Sequence, residues 1–191
     1  MSEEYIDNKN EIGKDAMERK ISEELGSKLQ GILSGDLHIA SVDKFGNVLS
    51  SLQQEKSSST PDGWLINSKE LQANVLTPDG AASMITISGS EQINGTAKSQ
   101  DPAEITIFQQ PYPDNPQYMV SMSARMNAHS NVYEYRIAQS QDGQFIDPNE
   151  KGELIDSAAI GQQMINNALF SALSAGEQYD RELQTLRSRH S

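Results

Sequence analysis

QYMVSMSARM (residues 117–126), NAHS (127–130) and NVYEYRIAQ (131–139) make up the stretch whose reading decides the fold. On either side of the four-residue loop, apolar and polar residues alternate with period two, the pattern of strands with one buried face. Folding the two arms about the loop sets Ala124 against Tyr133, Met122 against Tyr135 and Val120 against Ile137. Small then faces large and apolar faces apolar, as a core side requires. The opposite side carries Ser121, Ser123, Arg125, Glu134 and Arg136. The alternation predicts an antiparallel hairpin with one dry face, and those five polar residues are its candidate binding surface.

Working outward, the same reading finds further hairpins. Ser83–Ile93 and Thr96–Gln100 flank Asn94-Gly95, a two-residue turn that would place Glu91 opposite Lys98. Ala103–Gln109 follows Pro102 as another strand, with Ile105 and Ile107 alternating against Thr106 and Phe108, and a proline-rich loop spans Gln110–Pro116. Leu37–Val42 and Val48–Leu52 flank a loop with glycine at position 46. Thr-Pro-Asp-Gly occurs twice, at 60–63 and 77–80. In that tetrapeptide proline presets φ, aspartate caps the backbone and glycine frees the next φ, so each copy reads as a turn. The polar, serine-rich run Gln53–Gly63 reads as a loop.

Helical periodicity brackets this β-rich middle. Ile12, Ala16, Ile21, Leu25, Leu29, Ile32 and Leu33 mark one face of a helix over roughly 7–34, with Gly35 as its stop and residues 1–10 as a flexible lead-in. A second stripe, Ala158, Gly161, Ile165, Ala168, Ala172, Ala175, Tyr179, Leu183 and Leu186, predicts a helix over roughly 148–189. Asp147-Pro148-Asn149-Glu150 offers it an N-terminal cap, although Gly152 favours a start at Asp156 or Ser157. Its small central residues would admit a close neighbour, and its glycines degrade any heptad. The assembled expectation is a single α+β domain over 1–191. It comprises an antiparallel sheet of about five to seven strands with the long N- and C-terminal helices packed on one face.

Composition narrows the function. The 191 residues carry a formal net charge of −12, and the basic residues gather at Arg181, Arg187 and Arg189 near the C-terminus. Nucleic acid and anionic membrane are therefore poor partners. There are no cysteines, so thiolate catalysis, disulfides and cysteine-held metals are ruled out. The N-terminus shows no apolar signal segment and no run approaches a membrane span, which predicts a cytoplasmic location, although signal-independent export would leave no such mark.

No motif supplies chemistry. His38, His129 and His190 share no metal-ligand spacing, no serine sits in a nucleophile elbow, and neither Asp142-Gly143 nor Asp43…Asn47 spells a calcium loop. Glu104 and Glu134 would face one cavity only if their strands were neighbours. No cofactor and no metal are expected, and a non-catalytic role is favoured over an enzyme. The order helix, sheet, helix is similar to that of small acidic secretion chaperones, though no residue motif here is specific to that family. The first reading is a protein-binding, adaptor or chaperone-like domain acting on a protein partner or as a homo-oligomer. Alternatives are a small-molecule-binding or enzymatic domain, with Tyr118, Met122, Tyr133 and Tyr135 around a cavity between sheet and helix, and a structural subunit of an assembly.

The hairpin's two faces make unequal demands. Met122→Asp is expected to destabilise the fold by several kcal/mol, because it buries an unpaired charge. Ser123→Asp, one position along, is expected to leave the denaturation midpoint almost unchanged.

Overall fold

The computed structural model describes residues 2–141, 144–146 and 157–190, and side chains at residue 13 and over 15–140 and 157–190. In chain order the elements are α1 (Ser2–Ser34), β1 (Ala40–Val42), β2 (Val48–Ser50), β3 (Leu52–Ser59), β4 (Leu65–Leu76), β5 (Ala82–Asn94), β6 (Ala97–Gln100), β7 (Glu104–Gln110), β8 (Met119–Met126), β9 (Tyr133–Gln141), β10 (Gln144–Ile146) and α2 (Ser157–Arg189). The main sheet runs β10-β9-β8-β7-β5-β4-β3, all antiparallel, and β6 pairs with the far end of β5. β1 and β2 form a separate two-stranded sheet. The class is α+β, as the patterning implies.

The two Thr-Pro-Asp-Gly copies build the same turn at the two ends of β4. In each, the threonine hydroxyl donates to the aspartate carboxylate two residues on. It also accepts from the backbone N–H four residues on, that of Trp64 or Ala81, at 3.1 Å. The glycines close the turns at φ 91° and 90°, a conformation open to them because they lack Cβ. Local chemistry alone thus aligns β3 with β4 and β4 with β5.

Burial assigns the faces. Leu71, Ala73, Val75, Ile85, Ile87, Ile105, Ile107, Met122, Ala124, Tyr133 and Ile137 lie on one side of the sheet and share a core with both helices. α1 contributes Leu29, Ile32 and Leu33, while its described side chains at 15–20 are largely exposed. α2 contributes Met164, Ile165, Ala168, Leu169 and Ala172. Its glycines explain how it approaches so closely. A Cβ on Gly161 would stand 2.6 Å from the Tyr135 ring, and one on Gly176 only 1.9 Å from the His38 carbonyl oxygen. Helix α1 stops at Gly35, whose φ is 90° and whose N–H reaches the Ile32 carbonyl. Tyr133 ties three elements together. Its N–H donates to Ser22 Oγ of α1 at 3.0 Å, and its hydroxyl donates to the Ala103 carbonyl beside β7 at 2.6 Å.

Four expectations are corrected. Residues 53–63 are not a loop: Leu52–Ser59 pairs throughout with Leu65–Gln72, leaving 60–63 as the turn. This strand is exposed at every residue, so no burial imprints alternation on it; backbone pairing holds it. In the last hairpin the pairs are Met126–Tyr133, Ala124–Tyr135 and Met122–Ile137, two residues out of the expected register. The connection runs to Val132, whose carbonyl accepts the Asn127 N–H at 2.9 Å, and Asn131 takes the left-handed conformation at φ 55°. A slip of two preserves both faces. The Asn94-Gly95 turn slips likewise: Gln100 opposes Glu91, although Lys98 still reaches Glu91 diagonally at 3.5 Å. Finally, α1 begins at Ser2 rather than near residue 7, which takes the expected flexible lead-in into the helix, and α2 is described from Ser157. The proposed cap at 147–150 and the Asp142-Gly143 candidate lie outside the described residues.

Gly176→Ala should lower stability by about 3 kcal/mol or more in chemical denaturation, since the new methyl meets backbone and neither side can yield cheaply. Gly13→Ala, with nothing near its Cβ position, should instead raise it by up to ~1 kcal/mol. The Tyr133 phenol offers a pH test. Burial foremost, then neighbouring Tyr135 and Glu104, push its pKa from the ordinary 10.0 up to about 12. The folded state therefore holds this proton more tightly, and its contribution is full below pH 10 and falls away between pH 10 and about 12. Urea midpoints should decline across that window, and Tyr133→Phe should flatten the decline.

Candidate functional site

The sheet face turned away from the helices has no layer over it among the described residues. On it stand the even-numbered residues of β4, β5, β7 and β9 and the odd-numbered residues of β8. The five polar residues singled out by alternation are all here. Ser123 opposes Arg136, Arg125 opposes Glu134, and Ser121 opposes Ala138. Their bonding differs from a simple Arg–Glu ladder. Arg125 Nε lies 3.4 Å from Glu104 Oε2 across to β7, while Glu134 accepts from Asn127 Nδ2 at 2.5 Å. With Arg125 71% exposed, that ion pair contributes little to stability.

The topology separates Glu104 from Glu134. β8 lies between their strands, so the two backbones are roughly 10 Å apart with the Arg125 strand between them. They do not form a proton-sharing pair. The histidines also stay apart. His38 Nδ1 lies 2.8 Å from Asp180 Oδ1, with its ring edge-on to Tyr179, whereas His129 sits in the β8–β9 connection and His190 at the end of α2. No group of three metal-ligating side chains gathers among the described residues. No described helix is long and apolar enough to cross a membrane.

What alternation did not reveal is an apolar trough on the same outer face. Ser121 opposes Phe108, Phe108 opposes Met84, and Met84 opposes Asn74, a row crossing four strands. Around the apolar part of this row lies an open trough of about 760 Å³, walled by Leu76, Ala82, Met84, Phe108 and Met119, with Val42, Asp43 and Lys44 at its rim. Leu76 is 61% exposed, and Phe45, at the tip of the rimming turn, is 76% exposed beneath the Lys44 ammonium. The Asp43 carboxylate holds that turn by accepting the N–H groups of Asn47 and Phe45 at 2.8 and 2.9 Å. Those bonds, led by the one from Asn47, keep its pKa below the ordinary carboxylate value. The sequence did carry one signal. Met84 and Phe108 are large apolar residues at outward positions, where alternation calls for polar ones.

The four residues proposed to line a cavity together do not. Met122 and Tyr133 are buried in the core, and Tyr118 leans on Tyr112 in the loop before β8. Tyr135 opens onto a hollow on the helix side, between α1 and α2. No protein-family model matches this chain, and no curated protein or solved structure is similar enough to bear on it.

Proposed function

We propose that this is a non-catalytic adaptor domain that holds another protein on the outer face of its sheet. One observation carries the reading. An apolar trough of about 760 Å³, with Leu76 61% exposed, lies beside the polar set Ser121, Ser123, Arg125, Glu134 and Arg136. An apolar centre bordered by polar groups that include arginines has the composition of a protein-binding surface, and exposed apolar area of that kind is unfavourable unless it is covered in use.

The occupant is a different protein, presenting an apolar anchor within neutral or basic surroundings. Two copies of this chain would each bring a formal charge of −12, and that repulsion disfavours self-association. A basic partner is attracted by the same charge, so the association rate should fall as salt is raised. The reading needs no cofactor and no bond-making step.

Leu76→Asp should abolish partner binding while changing stability by no more than about 0.5 kcal/mol, because Leu76 is mostly in water already. Affinity purification from the native host would compare wild type, Leu76→Asp and Leu186→Asp, the last on the exposed end of α2. The adaptor reading expects a stoichiometric protein with wild type and Leu186→Asp that is lost with Leu76→Asp. Equal recovery by all three would refute the outer-face assignment.

A further inference from the structure

We infer that the cleft between α1 and α2 is a binding site for a small neutral molecule with an apolar body and one carbonyl acceptor, held by the hydroxyl of Tyr135. This site lies on the opposite side of the sheet from the adaptor surface and does not depend on it.

Two independent observations meet here. The first is a hollow of about 310 Å³ whose walls are Ile21 and Leu25 of α1 and Ile165 and Leu169 of α2. Its size is at the small end of the range of ligand sites. The second is its floor, where Tyr135 Oη is buried and makes no hydrogen bond. Buried hydroxyls are almost always paired, because an unpaired one forgoes roughly 1–3 kcal/mol. The packing does not let the ring simply turn away from this position, since Gly161 lies against it closely enough that a Cβ there would stand 2.6 Å from the ring.

The chemistry of the walls selects the ligand. Four aliphatic side chains ask for an apolar body. The polar lining residues are Glu24, Lys28, Gln162 and Asn166, one acid, one base and two amides, so no net charge is favoured. Burial foremost raises the Tyr135 phenol's pKa, the Gln162 amide on the pocket wall opposes the rise, and the hydroxyl makes no hydrogen bond of normal geometry. The hydroxyl therefore keeps its proton at neutral pH and is a donor seeking an acceptor. A ligand carbonyl supplies that acceptor, and the alternative occupant is a lone water.

The test is a methyl NMR titration of the full chain with three neutral carbonyl compounds: acetophenone, cyclohexanone and benzamide. The site predicts saturable shifts at Ile165, Leu169 and Leu25 with at least one of them. Tyr135→Phe should weaken that binding about fivefold, the value of one neutral hydrogen bond. It should leave the thermal midpoint unchanged or higher, because it removes an unpaired group. Asn166→Trp, at an exposed lining position, should block binding. Failure of all three compounds to saturate by about 10 mM would overturn the inference and leave water as the hydroxyl's partner. Equal affinity in Tyr135→Phe would overturn it as well. Leu76→Asp should bind the probe like wild type, so this result and the adaptor result stand or fall separately.

Discussion

The structure depends on how closely α2 can lie against its neighbours. Gly161 against the Tyr135 ring and Gly176 against the His38–Ile39 backbone leave no space for a side chain. Between them Ala168, Ala172 and Ala175 are all but fully buried. This contact fixes the helix over β9 at one end and over the segment leading into β1 at the other. From it follows the position of the β1–β2 hairpin, whose Ser41 hydroxyl accepts the Asn74 N–H at 3.0 Å, at the part of β4 that β3 does not pair. The turn of that hairpin in turn forms the rim of the outer trough. The small stripe and the candidate surface are thus linked through one chain of packing, although they lie on opposite sides of the sheet.

The sheet divides into a dry half and a wet half along the length of β4 and β5. Toward the Thr77–Gly80 turn, alternate residues are buried beneath the helices. Toward the Thr60–Gly63 turn, β3, β6 and the ends of β4 and β5 extend past the core with few buried residues. There, cross-strand hydrogen bonds such as Ser57 Oγ to Asn67 Oδ1 at 2.8 Å, and the Lys98–Glu91 pair, replace apolar burial. Charged and serine-rich side chains on an open edge strand also discourage pairing with a further strand. The apolar trough lies at the other end of the outer face.

Legibility in the sequence followed burial. Where a strand has one dry face, as β7, β8 and β9 do, the period-two pattern located it and oriented it correctly. Ser121, Ser123, Arg125, Glu134 and Arg136 therefore stand together on one face even though the expected register was two residues out. Where both faces are wet, as along Leu52–Ser59, there is no alternation to read, and the polar composition alone suggests a loop. The trough was missed for a related reason. Met84, Phe108 and Leu76 come from three strands, and only the pairing of Met84 with Phe108 across β5 and β7 shows that they adjoin.

By itself the amino-acid sequence determined the α+β class, the two Thr-Pro-Asp-Gly turns, the presence of two helices and the faces of the buried strands. These depend on local φ/ψ preferences and on periodicity, which are properties of short segments. Only the tertiary structure decided the strand order, the separation of Glu104 from Glu134 by β8, the apolar trough and the unpaired Tyr135 hydroxyl. Each of these depends on which distant segments lie side by side, and pairing free energies between strands are too alike for local pattern to choose among them. That choice is made when the whole core, with α2 seated on its glycines, closes at once.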